Sequence, residues 1–217
     1  MPSVSRRVFI AGAVGAAATS ACSSTVKSKA SGPPTEFVLE DFVNEVKRAR
    51  AEKDAQAAVH EVLTRAISDP RSVVQGLGEP RAAGIHELYR GSELTILNVV
   101  WAPLMILLPH EHRMWATIGI YSGREDNIVW KRNGPLVEAQ AAASLSEREV
   151  FSLPHDVVHS VTNPIERMTG ALHIYGGDFF ATPRSEWDAE TLREQPFDLE
   201  RARRIFAEAN RRYEAGR

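Results

Sequence analysis

The sequence has almost no cysteine: Cys22 is the only one in 217 residues. Everything beyond it must therefore manage without disulfides, thiolate metal ligands or a cysteine nucleophile. It also lacks an excess of either charge, with 26 Lys and Arg against 28 Asp and Glu and a formal net charge of −2. That balance offers no electrostatic footprint for nucleic acid or for an anionic membrane surface. Long apolar runs are missing too. The Gly/Ala-rich stretch from Val8 to Ala18 is too short and too weakly apolar to anchor in a bilayer. No repeat at a solenoid period is present.

What is there begins with Ser5-Arg6-Arg7-Val8-Phe9-Ile10. An arginine pair closing a short basic segment, followed by the mild apolar stretch, is the layout of a twin-arginine export signal over residues 1–22. Thr19-Ser20-Ala21-Cys22 ends it. Cleavage after Ala21 leaves either a soluble periplasmic or extracellular protein or one tethered through a lipid on Cys22, and membrane attachment is expected only by that lipid. Residues 23–34 are rich in Ser, Lys, Pro and Gly without periodicity, as in a linker. Roughly 190 residues remain, enough for one domain with a sizeable core.

Within that body, residues 35–78 read as helices that pack on the barrel. Leu39, Phe42, Val43, Val46 and Ala49 recur at helical spacing, as do Ala55, Ala58, Val59, Val62, Leu63, Ala66 and Ile67. Asp69-Pro70 stops the second helix, and a short turn over Arg71–Leu77 comes next. From Ile85 to Tyr175 the pattern changes to short Val, Ile, Leu, Thr and Trp runs: Leu94–Trp101, Met105–Leu108, Met114–Tyr121, Asn127–Arg132, Val150–Leu153, Val157–Val161 and Met168–Tyr175. Breaks of Gly, Asn, Asp and Pro separate them, so residues 79–183 are expected to form a mainly β barrel or jelly roll. Residues 184–217 are expected to form a helical extension, with Ala202, Ile205, Phe206, Ala209 and Tyr213 on one face.

Chemistry concentrates in the histidines. In His110-Glu111-His112 the two imidazoles share a strand face and Glu111 points away. His159 lies on a later strand in Pro154-His155-Asp156-Val157-Val158-His159-Ser160-Val161-Thr162-Asn163. This Pro-x-Asp-x-x-His-x-x-x-Asn run resembles the second motif of the cupin superfamily, with Asp156 where Gly is usual. His110-x-His112, then Ala116, then Gly123 resembles the first motif, although Leu104 stands where Gly is usual. Most cupins have a Glu ligand where Ala116 stands. The resemblance therefore implies a cupin fold, a double-stranded β-helix, with a metal on His110, His112 and His159 and open coordination positions. If the strand continues without a bulge, His110, His112, Met114 and Ala116 all face inward.

Three-histidine sites of this kind resemble the cysteine dioxygenase family of thiol dioxygenases. Ala171-Leu172-His173-Ile174-Tyr175 matches two of the three positions in that family's Ser-x-His-x-Tyr strand. The nearest likeness is to a bacterial branch of predicted metal-dependent double-stranded β-helix enzymes. The resemblance implies that Tyr175 donates a hydrogen bond to substrate or oxygen and that His173 orients it. The same two residues also read as a satisfied core pair. The family's Arg for the substrate carboxylate has no clean match; His86 and Arg90 lie near its position, and either could supply that contact. The expected cofactor is Fe(II), with other divalent transition metals open and no organic cofactor. The expected partners are O2 and a small thiol or carboxylate; the oligomeric state is open. Two other functions fit the same residues: a non-oxidative metal cupin, acting as isomerase, lyase or hydrolase, and a small-ligand binding or sensor module without turnover.

Overall fold

A computed structural model describes residues 36–216. The expected export signal, Cys22 and the linker lie outside the described residues. The helices are α1 (Leu39–Arg50), α2 (Ala55–Ala66), α3 (Pro70–Leu77) and α4 (Leu199–Ala215). The strands are β1 (Gly84–Arg90), β2 (Thr95–Trp101), β3 (Ile106–Glu111), β4 (Ala116–Ser122), β5 (Arg124–Asn133), β6 (Leu136–Ser146), β7 (Val150–Leu153), β8 (Val158–Thr162), β9 (Thr169–Tyr175), β10 (Ser185–Trp187) and β11 (Glu194–Pro196).

Two antiparallel sheets face each other, with strand orders β1-β2-β9-β4-β7 and β11-β10-β3-β8-β5-β6. Strands β2 to β9 are shared out as 2-9-4-7 and 3-8-5-6, the pairing of two interleaved Greek keys. That strand order is itself a jelly roll, the double-stranded β-helix expected from the motifs. Side-chain alternation sorts β9 cleanly. Ala171 and Tyr175 join the barrel core with Leu97, Trp101, Ile118 and Ile120. Leu172 and Ile174 join a second core with Val59, Leu63 and Ile67 of the helical flank. Both faces are covered, so β2 and β9 are buried at every position.

Three of the four described helices start at a side-chain cap, α1 following Val38 being the exception. Asp54 accepts from the Ala57 amide, Asp69 from that of Arg71 and Asp198 from that of Glu200. Asp69-Pro70 therefore does more than stop α2: Pro70 opens α3, whose first turn has no use for its missing N–H. Gly119 sets how closely α2 approaches β4. A Cβ there would lie 2.8 Å from Leu63 Cγ and 3.0 Å from Ile67 Cδ1. Among the described residues, no helix is long and apolar enough to cross a membrane.

Two expectations change. The barrel does not end at residue 183: β10 pairs with both β11 and β3, so the first part of the expected helical extension belongs to a sheet. Nor does one strand run from His110 to Ala116. The chain leaves β3 after Glu111, turns through Arg113 at φ 55°, and enters the other sheet as β4. Ala116 nevertheless faces inward, because it is the cross-strand partner of Tyr175 in the β4–β9 ladder.

Candidate metal centre

Local backbone devices aim the three histidines. In the β3–β8 ladder Leu107 pairs with Val161 but His110 with His159, so β3 carries one extra residue in between. Pro109 lies in this bulge, where its missing N–H costs no ladder bond. The Leu108 carbonyl accepts from His110 Nδ1 at 2.8 Å. His112 sits just past the strand end. Behind it, left-handed Arg113 is held by a 2.6 Å hydrogen bond from its Nε to Glu111 Oε1. Glu111 faces away from the centre, as expected, and takes Arg113 and Arg132 as ionic partners. The Leu104 position, where a glycine was expected, has φ 56°, a backbone that favours glycine.

The ligand atoms of His110, His112 and His159 lie within 4.8 Å of one another, and all three residues are buried. Each Nδ1 decides what the opposite nitrogen can do. His110 donates from Nδ1 to a carbonyl, leaving a lone pair on Nε2. His159 Nδ1 lies 2.7 Å from Asn127 Oδ1, which can only accept, so its Nε2 also keeps a lone pair. His112 Nε2 is 2.9 Å from His159 Nε2, and His112 Nδ1 is buried without a hydrogen-bond partner. Two imidazole nitrogens bound about 2.0–2.1 Å from one ion at a right angle lie about 2.9 Å apart. Burial lowers His110 to about pKa 4, and burial followed by the charges of the neighbouring rings holds His112 and His159 well below the ordinary imidazole value. All three are therefore neutral at pH 7, the form that binds metal. The donor set fits a divalent transition ion with no carboxylate ligand, since Ala116 offers none.

Behind the ligands runs a buried polar chain that the motifs did not reveal. Asn127 Nδ2 donates to Glu125 Oε1 at 3.0 Å, and Trp101 Nε1 donates to Glu125 Oε2 at 2.8 Å. His173 Nε2 lies 3.4 Å from the same Oε2, close enough for electrostatic pairing but without an aligned hydrogen bond. His173 Nδ1 is 3.1 Å from the Tyr175 hydroxyl. The Tyr175 ring packs 4.8 Å from His112, and burial raises its pKa, so the phenol keeps its proton. The chain thus leads from one ligand, His159, to a hydroxyl beside another, His112.

The motif matches therefore bring together His110, His112, His159, His173 and Tyr175. Neither suggested carboxylate contact joins them. His86 is exposed on β1, one residue from inward-facing Ile85. Arg90 is exposed and its Nε lies 3.0 Å from Asp178 Oδ1. A different arginine approaches the centre. Arg184 is buried, donates to the carbonyls of Phe179 and Thr182, and stacks 4.3 Å from the Phe179 ring and 3.9 Å from the Phe197 ring. Its charge is near enough to lower the pKa of His110, His112 and Tyr175. Between the rings of His110, His159, His173, Tyr175 and Phe179 lies a cavity of about 30 Å³ with apolar walls.

No protein-family profile matches the chain. Among solved structures it is similar to an RmlC-like cupin family protein with a double-stranded β-helix fold from Methanocaldococcus jannaschii, at 12% identity and a TM-score of 0.40 over 48% of this chain and 87% of that one. It is also similar to oxalate decarboxylase from Bacillus subtilis, at 17% identity and a TM-score of 0.35, over 42% of this chain but only 22% of that one. A third is Peruvianin-I, a cysteine peptidase from Thevetia peruviana latex, at 15% identity and a TM-score of 0.34 over 39% of this chain and 51% of that one. Such distant likenesses carry no argument, and the assignment rests on the strand order alone: the molecule is a double-stranded β-helix jelly roll with a three-histidine group able to hold a metal.

Proposed function

We propose that the protein is a metal-dependent cupin oxidoreductase, an Fe(II) dioxygenase that adds O2 to a small thiol to give a sulfinate. The supporting observation is the convergence of three neutral, buried imidazoles with no acidic side chain among them, beside a tyrosine hydroxyl held by a histidine. Such a set leaves the full 2+ charge of an ion, which favours an anionic ligand such as a thiolate. Bound there, Fe(II) supplies the Lewis acidity and redox chemistry that let a thiolate and O2 react. The balance is RS⁻ + O2 → RSO2⁻, with two S–O bonds formed and no other reductant required.

The chain's own residues do the rest. Trp101, Leu97, Val99 and Phe179 keep water out of the cavity. Tyr175, protonated, donates a hydrogen bond into it, and His173 fixes where that hydroxyl points. Export by the twin-arginine route belongs to the same reading, because that route carries folded proteins, already loaded with metal.

The test is O2 consumption by anaerobically purified, iron-loaded protein against a panel of small thiols and carboxylates. Thiol-dependent uptake of one O2 per sulfinate is expected, and Tyr175→Phe should lower turnover markedly while leaving bound iron unchanged. A fully iron-loaded protein that consumes no O2 with any thiol, or one that takes up only Zn(II), defeats the proposal.

A further inference from the structure

Three glutamates are buried among the described residues: Glu111, Glu125 and Glu186. Glu111 pairs with Arg113 and Arg132, and Glu186 with Arg201. Glu125, fully buried, has no arginine or lysine partner among the described residues; its Oε2 lies 3.4 Å from His173 Nε2. A buried carboxylate without a cation is costly unless one is supplied. Its two oxygens accept from Trp101 and Asn127, and Asn127 in turn accepts from ligand His159.

We propose that Glu125 is a positioning residue of the metal centre: acting through Asn127, it holds His159 in the tautomer that presents a lone pair to the metal. This rests on the three-histidine reading of the centre and is independent of thiol and O2. The donor–acceptor pattern carries the argument. Trp101 Nε1 is donor-only, so Glu125 Oε2 must accept from it. With Glu125 Oε1 also accepting, Asn127 is obliged to turn its Nδ2 toward Glu125 and its Oδ1 toward His159. His159 Nδ1 then has to carry the proton, and Nε2 is left bare facing His112.

Glutamine at 125 has one acceptor where two are used. With Trp101 still satisfied, the new NH2 meets Asn127 Nδ2, donor against donor. Asn127 relieves this by turning over, which faces its NH2 to His159 Nδ1 and moves the imidazole proton to Nε2, the ligand atom. Aspartate at 127 removes the conflict, because its oxygens accept from both the introduced amide and His159 Nδ1.

The experiment is Co(II) titration by competition, together with nitrogen–proton NMR correlation of His159 in the metal-free protein. In the native chain the proton should reside on Nδ1. Glu125→Gln should weaken Co(II) binding ten- to a hundredfold, the usual cost of losing a residue that orients a ligand. Adding Asn127→Asp should restore affinity to within about threefold of native, as expected if orientation is what Glu125 supplies. A native His159 protonated on Nε2 overturns the proposal without any variant. So does unchanged Co(II) affinity in Glu125→Gln, or a folded double variant that stays weak. Should the single variant not fold, the double variant and the native NMR spectrum still decide. Failure of the thiol reaction with this pattern intact would count against the dioxygenase alone.

Discussion

The two faces of β9 lie a few ångströms apart and do opposite work. Outward, Leu172 and Ile174 meet the helical flank in a core built of aliphatic and aromatic side chains. Inward, His173 and Tyr175 belong to a polar lining with buried histidines, Asn127 and Glu125, hydrogen-bonded in part: His112 Nδ1 and His173 Nε2 are buried without a hydrogen-bond partner. The dry face gains stability from area and close packing. The polar face spends conformational and desolvation free energy to hold atoms in position. Because one sheet serves both, the helices α1 to α3 back the site from behind that sheet, and Gln56 of α2 donates to the Ala116 carbonyl at 3.1 Å.

The sharpest way to break this contrast is to remove a ligand. His112→Ala should abolish stoichiometric Co(II) or Fe(II) binding while leaving the thermal midpoint of the metal-free protein within a few degrees of native, as read by metal analysis and calorimetry. The reciprocal change is on the dry face. Leu63, on the inner face of α2, is fully buried, and Leu63→Ala should cost about 2–5 kcal/mol of unfolding free energy with metal affinity of the folded protein unchanged. Equal loss of metal affinity in both variants would erase the division.

Acid gives a smaller, graded version. His110 stays neutral in the folded chain down to about pH 4, whereas an unfolded histidine protonates near 6.5. Below pH 6.5 the unfolded state thus binds the extra proton, so stability present at pH 7 is lost as the pH falls toward 4. For His110 alone, going from pH 7 to about pH 5 should remove roughly 2 kcal/mol from the metal-free protein. Urea unfolding across that range checks it. Leu63→Ala should shift the whole curve without changing its slope.

The sequence showed most of this architecture wherever one residue type dominated a face. The histidine motifs were readable from spacing, and His173 and Tyr175 from the resemblance of their strand. β6 was not, because its Ala139–Ala143 run has helical propensity, and an edge strand with largely exposed side chains shows no burial alternation. β10 and β11 are too short to register, at three residues each. Glu125 was hidden because Gly123-Arg124-Glu125-Asp126 reads as a charged turn. In the fold β5 begins at Arg124, and strand parity then turns Glu125 and Asn127 inward together. Arg184 lies outside every motif, and only the fold brings its charge close to the histidines.

The cavity beside the histidines, at about 30 Å³, has room for a single water-sized occupant. Phe179 closes one side, 4.6 Å from the Tyr175 ring and 5.9 Å from the His112 ring. A diatomic gas fits this chamber as it stands; a three-carbon thiol does not, unless that phenyl ring swings aside. The size of this chamber thus bounds what can sit beside the three rings before any reaction is considered.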